Sequence, residues 1–488
     1  MGHSEKSILS RKALLWPGLT GTAVGALAAA VWPYTVDDAF ITARFAENLA
    51  AGHGYGMNPG QPADGVTGPL WVLPGLLAAW LGLDAVAAAK LVGALCAAAA
   101  AALAVRLAGV RAGGRIAAPF CGLALVLSPS LGTWGVAGLE TGAASLAVVL
   151  AHGAAWARPR PRGVATGLAV AALAWLRPEL APWAALTLGA TWLREPDQGV
   201  RAAALAGVGA MTLLVVRLAY FGDALPPSYH AKAGDLGVGV RYVLTSVALA
   251  TSGVGALVAG YGAVRGRRED AWLGAGLLVH LLAVALAGGD WMPGYRLLVP
   301  VLPLYALLLG RGVAVLWRRS PPLAVGALAL SCLLPALDLA TRVPALHATA
   351  RSRTGEGAAI AEFLKHRATR VALVDVGFLG RASGLPVVDL GGVTDASIAR
   401  LPGGHLDKRI DGELLQKRQP DAIVLHSARR PAVDAEGRLR ALSGYPVEQR
   451  VAALPWVREH FRVARVGDYA PGYYYVVLLS TAAHGTKR

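Results

Sequence analysis

Charge is scarce in this chain. Asp, Glu, Lys and Arg make up 16% of its 488 residues, against roughly 25% in an average soluble domain. Cysteine is scarcer still: Cys96, Cys121 and Cys332 each sit inside a long apolar run. No C-x-x-C or H-E-x-x-H spacing occurs, so neither a disulfide framework nor a zinc site is expected. A Walker A loop and a D-x-D motif are also missing. Gly54, Gly56 and Gly60 have neither the G-x-G-x-x-G spacing nor a preceding strand, so nothing supports a nucleotide substrate. What the chain has in abundance is apolar: 55% hydrophobic residues, a further 60 glycines and a mean hydropathy of +0.49. A soluble globule cannot bury that much apolar surface, and the composition predicts a polytopic α-helical membrane protein. The net charge of +16 is then read as the arginine excess of cytoplasmic loops, not as nucleic-acid binding.

The placement of that charge predicts a topology. Lys6, Arg11 and Lys12 precede an apolar run from Ala13 to about Trp32, long enough to span a bilayer and expected to be retained despite the Ala28-Ala29-Ala30 run. The N-terminus is therefore cytoplasmic and Tyr34 onward is outside. The stretch 69–83 is short, contains Pro74 and reads as an interfacial helix within a first outer loop, 34–84. Spans follow near 85–105, 116–131, 139–157, 163–176, 180–193, 202–220, 239–263, 271–287, 297–317 and 321–340, giving about eleven in all, with arginines at the inner ends. The spans 163–176 and 180–193 each reach only ~21 Å, less than the ~30 Å hydrocarbon core. Arg177 and Glu179 between them are expected in a recess. The chain thus divides into a transmembrane domain, 1–344, and an extracytoplasmic α/β domain, 345–488. In the latter, 371–376, 386–390, 421–426 and 473–479 read as strands and 356–366 and 407–419 as helices.

Most other polar residues near the membrane fall on the outer side, where ionisable groups at membrane depth mark a site by default. Asp37 and Asp38 open the first outer loop. Adjacent carboxylates can divide labour, one as general base and the other as orienter or metal ligand; equally, they can stabilise the N-terminus of the helix 39–50. Lys232 and Arg296 can hold a phosphate by charge-assisted hydrogen bonds, or anchor at the interface. Asp290 can serve substrate or simply pair with Arg296. Trp291 and Tyr295 suit a sugar platform or an aromatic belt. His53, between two glycines, is a turn residue unless a site recruits it.

The block Asp37-Asp38-Ala39-Phe40-Ile41, followed by His53-Gly54, Asn58-Pro59-Gly60 and Gly65-x-Thr67-x-Pro69-Leu70-Trp71, resembles the first outer loop of GT-C membrane glycosyltransferases. The branch it looks most like contains the bacterial cell-envelope arabinofuranosyltransferases. Gly138-Leu139-Glu140-Thr141, Leu176-Arg177-Pro178-Glu179, Tyr220-Phe221-Gly222-Asp223-Ala224-Leu225-Pro226, Tyr229-x-Ala231-Lys232 and the block from Gly289 to Arg296 agree with it. Ser228 departs from the longer polar side chain expected there, and the outer domain is short for the branch. The resemblance implies a bacterial plasma-membrane enzyme that takes a sugar from a polyprenyl-phosphate donor. The acceptor would be a glycan, lipid or protein on the outer side. It also implies an essential carboxylate at Asp37 or Asp38. In that mechanism the carboxylate removes the acceptor proton, and Lys232, Arg296 and Arg177 stabilise the departing phosphate. His53, Glu140, Glu179, Asp223, Asp290, Trp291 and Tyr295 are expected to contact substrate. No cofactor is demanded; a divalent cation is left open. The alternatives are the same chemistry on a pyranose such as mannose, a secondary transporter, which predicts paired broken helices with ionisable residues at the midplane, and a polymer-export scaffold.

Overall fold

The computed structural model describes residues 3–110, 113–231, 234–290, 292, 294–470 and 472–482. Two bodies emerge, a helical bundle and a small sheet. The bundle contains His3–Ala30, Ala85–Gly109, Gly114–Leu127 with Pro129–Val136, Thr141–Ala155, Gly163–Leu176, Ala181–Arg194, Pro196–Phe221, Leu236–Thr251 with Val254–Arg265, Arg268–Leu286, Leu302–Trp317 and Pro321–Ser352. Helices thus stand where spans were expected. By length and apolarity, five helices among the described residues can cross a bilayer, or up to seven if each bent pair is one span. Leu15–Ala30, Thr141–Ala155 and Gly163–Leu176 are apolar but shorter. A 14-residue helix rises only ~21 Å, so full crossings by the shortest ones require a thinned bilayer or flanking turns.

Small residues let these helices approach closely, as association between helices in lipid requires. A Cβ on Gly93 would come within 2.3 Å of the Gly135 carbonyl oxygen, and one on Gly142 within 2.2 Å of the Gly93 carbonyl oxygen. Ala97, Ala100, Ala101, Ala104 and Ala108 are buried along the same helix. Two helices break. Ser128-Pro129 turns the first pair by 59°; Ser252 and Gly253, both at positive φ, turn the second by 88°.

Pro321–Ser352 continues through a π turn, Arg353–Gly357, into Ala358–Lys365 and so carries the chain from the bundle into the sheet. The strands are β1 Val371–Leu373, β2 Val387–Asp389, β3 Ala422–Ser427, β4 Ala432–Val433, β5 Leu439–Ala441, β6 Phe461–Ala470 and β7 Tyr473–Ser480. A five-stranded sheet has the order β2-β1-β3-β7-β6; β1 runs parallel to β2 and β3, and β7 antiparallel to β3 and β6. The small β4–β5 hairpin stands apart.

The sheet does not close its core alone. Ile41, Phe45, Ala46 and Leu76 of the first loop pack into one apolar cluster with Ile360, Leu364, Val371, Leu379 and Val477. The boundary expected near residue 345 therefore marks a change of composition, while the core runs across it to the helices Asp37–Ala50 and Val72–Trp80.

Candidate functional site

Asp37 and Asp38 are the first two residues of the helix Asp37–Ala50. Successive residues of a helix point ~100° apart, and the two carboxylates separate accordingly. Asp37 turns to the sheet domain. Its Oδ2 accepts the Gly377 backbone N–H at 2.7 Å and its Oδ1 that of Phe378 at 2.9 Å. These N–H groups open the helix Val376–Ser383, so the carboxylate sits where a helix dipole favours it. Burial, then the Asp375 carboxylate, still push the Asp37 carboxyl up to about 6; Arg353 and the Phe378 N–H pull the other way. Asp38 turns to the bundle. Its side chain is 41% exposed and lies 3.9 Å from the Arg296 guanidinium.

Arg296 is buried and gives its Nε–H to Asp290 at 2.7 Å. Trp134 stacks 5.8 Å from its guanidinium. Arg177, also buried, reaches Glu140 and Glu179, each at 2.8 Å, and donates to Thr141 Oγ1 at 3.0 Å. Its Nε has no partner among the described residues. Asp38, Glu140 and Glu179 all act on the charge of Arg296. The loop carboxylates and recessed arginines singled out in the sequence thus form one cluster where several helices end on the side of the sheet. Arg106, Arg265 and Arg318 finish helices at the opposite end.

The rest of the predicted set is scattered. His53 is exposed in a turn, where its carbonyl accepts the Gly60 N–H at 2.9 Å. Asp223 bridges Arg400 at 2.6 Å and His230 at 3.1 Å, tying its loop to the sheet domain. The Leu225 N–H and then Arg400 hold its carboxyl below the usual range. Tyr295 is buried at a φ of 45°, with Arg342 5.2 Å from its ring centre. A bulky residue in that left-handed region is strained, and the strain falls one residue before Arg296. Lys232 and Trp291 lie outside the described residues.

Sequence reasoning missed three contributors. His280, fully buried, faces the Leu297 carbonyl through Nε2 at 2.8 Å; its Nδ1 has no partner among the described residues. The Tyr242 hydroxyl accepts the Leu297 N–H at 3.2 Å. Both sit in ordinary apolar helices, where a lone polar residue gives no spacing signal. The third, His426, is clamped between Glu448 at 2.8 Å and Asp375 at 3.3 Å inside the sheet domain. Among the described residues no three His, Cys, Asp or Glu side chains converge in a metal-holding group.

A helical bundle capped by an α/β sheet is a fold that this chain shares with solved structures. Over nearly its whole length the chain is similar in fold to ArnT from Cupriavidus metallidurans. It matches the structure bound to undecaprenyl phosphate with a TM-score of 0.58 and the apo structure with 0.59. In both, identity is 15%, and 95% of this chain and 98% of that chain are covered. Residues 345–477 match a family described as "Domain of unknown function (DUF8728)". No curated protein matches by sequence.

Proposed function

We propose that the protein is a membrane glycosyltransferase. It takes a sugar from a polyprenyl-phosphate donor and passes it to an acceptor at the sheet-bearing face, which we read as extracytoplasmic in a bacterial plasma membrane. The observation that carries this reading is the half-exposed Asp38 carboxylate beside Arg296, at the edge of a buried charged cluster. A fold shared with a protein solved with undecaprenyl phosphate supports a polyprenyl-phosphate ligand.

Of the acidic pair, Asp38 suits the general base. It is open to solvent on one side, whereas Asp37 is held by two backbone N–H groups. Removing the acceptor hydroxyl proton makes its oxygen the nucleophile at the anomeric carbon; the bond to the phosphate oxygen breaks, and polyprenyl monophosphate leaves as an anion. The Asp38–Arg296 contact is long for an ion pair, so the guanidinium can turn toward incoming phosphate and stabilise the charge that develops on it. Arg177 is more fully committed to Glu140 and Glu179 and acts by setting the local field. Four carboxylates face two arginines in the described cluster, so a phosphate needs a further cation, and Lys232 is the sequence's candidate.

The motifs of the first outer loop favour an arabinofuranosyl donor over a pyranose. A transport role fits less well. The helix breaks carry Ser128 and Ser252-Gly253 with no ionisable side chain. The test is transfer by purified protein from a panel of synthetic polyprenyl-phosphate sugars. Turnover with the arabinofuranosyl donor is expected; turnover only with a pyranose donor would change the sugar, and turnover with none would remove the activity.

A further inference from the structure

At the end of the bundle opposite Asp38, Val254–Arg265 and Leu302–Trp317 finish and Arg268–Leu286 begins. Between them is a cavity of about 180 Å³ lined by four arginines, Arg265, Arg267, Arg311 and Arg318, and by Glu269 and Asp270. The two carboxylates are already held. Arg311 donates to Asp270 Oδ1 at 2.5 Å and to Glu269 Oε1 at 3.2 Å. Asp270 Oδ2 accepts the Arg267 backbone N–H at 2.8 Å, and Glu269 also faces His152 at 3.4 Å. Arg311 is only 9% exposed, and its Nε–H is buried with no partner among the described residues.

Arginines at inner helix ends need no ligand, since they set topology while solvated. A topology signal does not explain a walled cavity or a buried guanidinium with an open donor. An unmet buried donor is costly, and a planar guanidinium is matched to phosphate oxygens. Arg265, Arg267 and Arg318 are exposed around the same space, which leaves four cations against two carboxylates. We propose that this cavity binds a phosphate group, carried by an anionic lipid or free in solution, at the face opposite the Asp38 cluster. It is separate from any donor site and does not depend on the glycosyltransferase reading.

The experiment uses the full-length protein in phosphatidylcholine nanodiscs. Inorganic phosphate and dihexanoyl phosphatidic acid are titrated separately. Arg311→Gln could fail to fold, so the variant is the exposed pair Arg265→Gln/Arg318→Gln, with Lys365→Gln/Arg367→Gln, two exposed cations of the sheet domain, as the charge-matched control. Saturable binding is expected in the wild type and the control, and about tenfold weaker binding in the Arg265→Gln/Arg318→Gln variant. Binding of inorganic phosphate identifies a free anion; binding of phosphatidic acid alone identifies a lipid head group. No saturable binding of either probe, equal affinity in the Arg265→Gln/Arg318→Gln variant, or an equal loss in Lys365→Gln/Arg367→Gln would each overturn the proposal.

Discussion

One residue step along a helix separates Asp37 from Asp38, and their environments assign them different work. Asp37 is a joint between the first loop and the sheet domain. Its carboxyl is raised from 3.8 to about 6 in the folded protein, so folding favours the protonated form relative to the unfolded chain. The stability it contributes is complete below pH 3.8 and is lost as pH rises through about 6. Asp37→Asn cannot ionise. Thermal unfolding in detergent, followed from pH 4 to pH 7, should show the wild type losing stability relative to this variant as pH rises. Parallel curves would mean that Asp37 does not titrate in this window. The acidic pair itself was legible as a motif. Which member faced the bundle was not, because that depends on where a helix 340 residues away presents its N–H groups.

At the scale of elements, the helix Asp37–Ala50 is clamped by arginine as well as by apolar packing. Arg44 is buried and donates to the carbonyls of Met57 at 3.0 Å, Gly380 at 2.5 Å and Leu385 at 3.1 Å. Arg44→Ala leaves these acceptors unmet and should destabilise the docked sheet by at least about 2 kcal/mol. Faster proteolysis between residues 345 and 360 would register the change; an unaltered cleavage rate would show that the apolar cluster suffices. The sheet has a clamp of its own. His426 is held well above its ordinary value by Asp375 and Glu448 despite burial. Removing it strands the fully buried Glu448 carboxylate, so His426→Ala should cost about 3–5 kcal/mol, read as a lowered Tm. A Tm within error of wild type would contradict a charged clamp. β1, β2, β3 and β7 were readable because their apolar runs are continuous, as buried strands require. β6 was not, because Arg462, Arg465 and Asp468 interrupt an edge strand that only β7 covers.

Across the whole molecule, hydropathy and arginine spacing placed the helices, because both follow from the bilayer as a solvent. The bend angles, the shared core and the convergence of Glu140, Arg177, Glu179, Asp290 and Arg296 depend on contacts between distant segments that no periodicity encodes. Ionisable groups are costly near lipid and collect at both ends of the bundle; the end beside the sheet is the candidate for chemistry because there a half-exposed carboxylate, Asp38, faces a buried arginine, Arg296. The central claim is that a polyprenyl-phosphate sugar is consumed there with Asp38 as base. Its most direct measurement is release of polyprenyl monophosphate by purified wild type, Asp38→Asn and Asp37→Asn, with a labelled donor and folding checked by monodispersity. Release should fall by ~10²–10⁴-fold in Asp38→Asn, the usual worth of a general base, and far less in Asp37→Asn. Near-normal release by Asp38→Asn, or no release by the wild type from any donor, would contradict the account.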